Sequence, residues 1–150
     1  MAPTSRVTHK TISAESKKLS DNDVLFSVAF RKTIAEINAG STLLPALPGF
    51  KYRVTDMRKI AVGGAAAAAT TVDILATQAG ASVELMASAV ANLTQSAILR
   101  AGATGGDVLA DGASFGSNDV NTAITAGKTG ADLTTATHID FFIEYVIERA

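Results

Sequence analysis

The chain has no cysteine and no tryptophan, three prolines among 150 residues, and aromatic side chains at only 5% of positions. Without cysteine there is no disulfide framework and no thiolate metal ligand, and the redox compartment is left open. Charge is scarce too: Asp, Glu, Lys and Arg make up 18%, against about 25% in ordinary soluble domains. The net charge is −1. So even a balance argues against a broad electrostatic surface for DNA, which needs a basic face. The absence of Trp and the few aromatics count against a sugar-stacking pocket. No uninterrupted apolar run reaches the length of a membrane-spanning helix. The N-terminal stretch MAPTSRVTHKTISAESKKLSDND lacks the apolar core of a secretory signal. The reading is therefore an intracellular product, or one that leaves the cell by lysis.

What is present is enough apolar residue for one domain with a real core: 47% of the chain. The clearest pattern is HIDFFIEYVIERA, residues 138–150. Ile139, Phe141, Ile143, Tyr145 and Ile147 fall on one side of a period of two, and Asp140, Phe142, Glu144, Val146 and Glu148 on the other. That is a β-strand with one buried face, in or beside the middle of a sheet. Burying the five large side chains is worth at most about 8–15 kcal/mol.

Residues 1–22 are polar and read as an extended arm; residues 23–150 read as the β domain. Val24, Phe26, Val28 and Phe30 alternate in a first strand. It runs on toward Ile34 and Ile37, which also suit a helical turn. AGSTLLPALPGF is a connection, because Pro45, Pro48 and Gly49 break a regular central element. Phe50, Tyr52 and Val54 resume the alternation, and Ile60 and Val62 continue it past a bend or bulge near Asp56. GGAAAAATTVDILAT has helix-favouring alanines next to glycines and β-branched residues, and reads as a turn or short irregular crossing. Residues 81–102 admit a strand pair or a short helix, and residues 102–119 are rich in turns. The fold expected is all-β: a single compact sandwich or barrel with an N-terminal arm.

No motif carries chemistry. Gly127-Lys128-Thr129 echoes the end of a phosphate loop, but Thr122 stands where that loop needs glycine. Asp107 and Asp111-Gly112 echo a calcium loop, yet Leu109 and Asn118 occupy ligand positions. His9 and His138 are isolated, and His138 is expected at a turn or subunit contact. Asp140, Glu144 and Glu148 are about 13 Å apart along a strand, too far for paired carboxylate catalysis, and form a solvated or interfacial row. The expectation is a protein that is not an enzyme and has no cofactor or metal.

The stretch AEINAGSTLLPALPGFKYRVTDMRKIAVGGAAAAATTV, residues 35–72, resembles small virion proteins of tailed double-stranded DNA bacteriophages. NTAITAGKTGADLTTATHIDFFIEYVIE, residues 121–148, is similar to them as well, and the likeness is to the capsid decoration, or cement, proteins. It covers most of residues 24–148 and rests on texture and order, not on an invariant motif. The resemblance implies a jelly-roll or tulip-like β domain, made in the host cytoplasm and bound as a homotrimer to the outside of an icosahedral head. It implies the major capsid protein as partner, with no nucleic-acid or membrane contact. It also implies an arm that reaches a neighbouring subunit, which assigns capsid binding to Arg6, His9, Lys10, Lys17 and Lys18. A tail-tip or fibre-head module has the same texture and stays open beside it, as does, more distantly, a small β-fold enzyme.

Overall fold

The computed structural model describes residues 21–150 and the side chains from Val24 onward. Nine strands form two antiparallel sheets, packed face to face as a β-sandwich. The first sheet has the order β1 (Asp21–Thr33), β9 (His138–Arg149), β3 (Phe50–Val62), β6 (Leu99–Arg100). The second has the order β2 (Ser41–Leu44), β8 (Ile124–Thr134), β4 (Ala67–Gln78), β5 (Ala81–Ala89), β7 (Gly106–Asp107). The proposed arm residues Arg6, His9, Lys10, Lys17 and Lys18 lie outside the described residues.

β9 lies between β1 and β3. Ile139, Phe141 and Ile143 are fully buried and Tyr145 nearly so, while Ile147, near the strand's end, is half-buried. Across from them in register stand Val28 and Phe30 on β1, and Val54, Met57 and Ala61 on β3. Phe26 stacks on Tyr145 with ring centroids 5.3 Å apart, and Tyr52 meets the same ring edge-on at 5.5 Å. Such geometries suit the aromatic quadrupole.

The bulge near Asp56 is real: the β3–β9 register shifts between Val54 and Asp56. An extra residue reverses the strand's parity. The inward row after it is therefore Met57, Lys59 and Ala61, and the expected Ile60 and Val62 face outward, half-buried. The alanine stretch corrects the sequence reading in the same way. Residues from Ala67 onward are not a crossing but β4, a central strand of the second sheet. Pairing on both sides overrides helix propensity. The small side chains also tolerate two irregularities against β8 and a positive φ at Ala68. Only the corner before it, Gly63-Gly64, is a turn. There a Cβ on Gly64 would approach the Thr135 carbonyl oxygen to 2.9 Å.

The proline-rich connection hides one short strand, β2, which ends at Leu44 and so avoids Pro45 on a sheet edge. Between β1 and β2 the chain makes one helical turn, α1 (Ile34–Asn38), on a capping box: Glu36 N–H donates to Thr33 Oγ1 and Thr33 N–H to Glu36 Oε2. It buries Ile37, and Asn38 both accepts from and donates to the Leu133 backbone, tying this side of the sandwich to β8. β4 and β5 form a hairpin through Ala79 and Gly80, both at positive φ, as a two-residue turn requires.

Candidate functional site

Three polar assemblies stand out against the apolar core. The first is the outward face of the β1-β9-β3 sheet. Asp140 accepts both guanidinium contacts of Arg31 at 2.8 Å, from the residue directly across the β1–β9 pair. Arg58 reaches Glu144 at 2.7 Å and Asp56 at 3.1 Å. Arg53 reaches Glu148 at 2.7 Å, with Lys51 at 3.8 Å and the Ser117 hydroxyl donating to the same carboxylate. The row Asp140, Glu144 and Glu148 is thus a set of separate cross-strand ion pairs. Hydrogen bonding to Arg31 holds Asp140 below the usual carboxylate range. Burial pushes Glu148 up, but hydrogen bonds from Ser117 and Arg53 outweigh it and leave the group lowered. Between these pairs Val146 is nearly buried, flanked in register by Leu25 and Arg53.

The second assembly was missed in the sequence. Lys59, opposite Phe141 in register, is completely buried between the sheets. Its Nζ donates to the Val72 carbonyl at 2.6 Å and the Met86 carbonyl at 3.2 Å. Burial lowers its pKa to about 7, and the charge of Asp73 only partly opposes that. Asp73, on the opposite side of β4 from Val72 and Ile74, is also buried and raised by burial. It accepts from Thr71 Oγ1, but its Oδ1 and Ser88 Oγ have no partner among the described residues. The available signal was the parity switch at the bulge, which puts Lys59 in line with Met57 and Ala61.

The third is a corner built from Asn118 to Asn121. Asn118 Oδ1 accepts from Tyr52 N–H, and its amide donates to Thr122. The Asp119 carboxylate accepts from Ala79 and Gly80 N–H, closing the tip of the β4–β5 hairpin. Asn121 accepts from Gly49 N–H. Asn118, a calcium-ligand position by sequence spacing, is therefore committed to backbone. Asp107 lies exposed on β7, and Asp111 is exposed in the 3₁₀ turn at residues 110–115.

Elsewhere, Gly127, Lys128 and Thr129 lie inside β8, and Lys128 pairs with Asp132 at 2.8 Å. His138 opens β9 with Nδ1 2.9 Å from Thr137 Oγ1. Among the described residues, no three His, Cys, Asp or Glu side chains gather to hold a metal, and no helix is long and apolar enough to cross a membrane. Neither a protein-family model, a curated protein nor a solved structure matches this chain.

Chemically, these assemblies hold strands in place. The outward pairs fix register across three strands. Lys59 caps two carbonyls of the second sheet from a strand of the first, and Asn118 ties a loop to β3.

Proposed function

We propose that this protein is a structural component of a bacteriophage virion, bound as a symmetric oligomer, a trimer, to the outside of the capsid, where it stabilises the expanded head. The resemblance of residues 35–72 and 121–148 to decoration proteins supports the class. The observation that carries the reading further is the clamping of the sandwich. Ion pairs in register span β1, β9 and β3, and Lys59 joins the two sheets. Such bracing in register suits a module held between neighbouring subunits. Cementing itself is additive: interfaces of about 1,600 Å² repeated around one oligomer give an avidity that no single contact supplies.

Charge supports a role for the N-terminal segment. Residues 1–20 hold four cations against one anion, so the remaining 130 residues carry −4 of the total of −1. A basic segment beside an acidic domain suits pairing with an acidic groove between capsid subunits.

The test is to mix the purified protein with expanded, DNA-free heads and locate it by electron microscopy. Ordered density on the outer surface at the capsid's symmetry axes is the expected result. Absence of bound protein at saturating concentration overturns the proposal, and density confined to the tail of intact particles replaces it with a tail-tip or fibre-head role.

A further inference from the structure

We infer that the edge of β1 turned away from β9 is a two-fold contact between copies of this chain, with β1 of one copy pairing antiparallel with β1 of the next. The inference goes beyond the capsid reading and stands without it.

At the other sheet edges the end strands are short. β6 and β7 are two residues long and β2 is four, too short to template another strand. Beyond β6, the remaining edge of β3 is occupied by loop backbone: Asn121 bonds Phe50, Asn118 bonds Tyr52, Ala101 bonds Met57, and Ala61 bonds Thr94. β1 is different. It is 13 residues long and, among the described residues, has β9 as its one strand neighbour. From Leu25 to Thr33 the register is unbroken and free of proline, and the shift against β9 lies before it, between Asp21 and Leu25.

Its side chains are left incompletely covered on both faces. Phe26, Val28 and Phe30 face the core yet remain half-exposed, and Leu25 on the outer face is 58% exposed. An aliphatic side chain this open, beside an edge with no strand partner among the described residues, is what natural sheets otherwise avoid.

The sequence of the strand complements itself. Asp21 and Asp23 stand near its start, and Arg31 and Lys32 near its end. Full antiparallel overlap of residues 21–33 with a second copy puts Ser27 on the two-fold axis. In the unbroken part of that register Leu25 falls opposite Ala29, and Phe26 opposite Val28. The acidic start of one strand lies toward the basic end of the other, and Phe26 and Val28 meet across the inner face. Opposite charges and aromatic or β-branched residues across a pair favour it. A two-fold axis is also the commonest symmetry of protein pairs. The contact joins the two four-stranded sheets into one of eight strands. Combined with a three-fold contact elsewhere, it links trimers in pairs.

The test uses charge exchange at the two exposed outer positions. One variant carries Leu25→Lys and Ala29→Lys, the other Leu25→Glu and Ala29→Glu. Each alone sets like charges opposite one another in the proposed register, and the mixture sets opposite charges there. Circular dichroism and melting confirm that each variant folds. By sedimentation velocity at low salt, wild type is expected as an even-numbered oligomer. Each variant alone should fall to half that mass, and a 1:1 mixture should return to it. Equal mass for wild type and both variants overturns the inference, and an edge filled by residues 1–20 of the same chain would give that result. Loss of assembly that the mixture does not restore overturns it too.

Discussion

The two faces of β9 divide its labour. The inward row of Ile139, Phe141, Ile143 and Tyr145 has one fully buried polar partner in register, Lys59 across from Phe141. The outward row pairs nearly every charge with a neighbour one strand away. The inward face supplies the free energy, since apolar burial scales with area and is lost with each methylene removed. The outward face contributes little energy, because half-exposed ion pairs are screened. What it supplies is specificity: a one-residue slip of β9 would break every pair and turn the apolar row outward.

Substitutions should separate the two roles. Phe141→Ala, at the centre of the inward row, should cost about 3–5 kcal/mol in chemical denaturation. A cost under about 1 kcal/mol would place the core elsewhere. Lys59 tests the one polar member of that row. Its folded pKa lies below its unfolded value of 10.5, so burying the charged form opposes folding below about pH 7. That opposition fades as pH rises from about 7 toward 10.5, because the unfolded chain then binds more protons than the folded one. Melting temperature should therefore rise across this window in wild type and lose that rise in Lys59→Met. A wild-type profile without the rise would mean that Lys59 stays charged when buried.

The outward face should give smaller numbers. A double-mutant cycle on Arg58 and Glu144 should return a coupling of about 0.2–1 kcal/mol that shrinks with salt. A coupling above about 2 kcal/mol would make the outward face a partner in stability and erase the contrast. Smallest of all, Leu25→Ala on the exposed edge should change monomer stability by less than about 0.5 kcal/mol, read by denaturation at high dilution.

The strands that alternate cleanly were legible in the sequence: residues 24–30, 50–54 and 138–148 carry a period of two because one face meets the core and the other does not. A bend or bulge near Asp56, with a possible change of parity, was legible, but the outcome was not. Its direction depends on which residue is left unpaired, and that is decided by β9, some 90 residues away in the chain. β4 was misread because its alanines have no face of their own, and only the neighbours β8 and β5 make them a strand. Lys59 was missed for the same reason, since a lysine's burial is set by the carbonyls waiting for it across the sandwich. No arrangement of catalytic groups was read from the sequence. The polar assemblies found in the fold, Lys59 with its carbonyls and Asn118 with Tyr52, join residues too far apart in sequence for spacing to reveal.

The placement of β9 between β1 and β3 also sets the order of events in folding. The partners Arg31 and Asp140 are 109 residues apart, so the first sheet cannot zip until distant ends of the chain meet. Long-range antiparallel pairing of this kind folds in about milliseconds to seconds, not microseconds. Throughout that wait β1 lacks its partner β9, with Phe26, Val28 and Phe30 uncovered. At high concentration during refolding, capture of one chain's β1 by another competes with arrival of β9. Yield should therefore fall with protein concentration, and a peptide spanning residues 138–149, supplied in trans, should protect it.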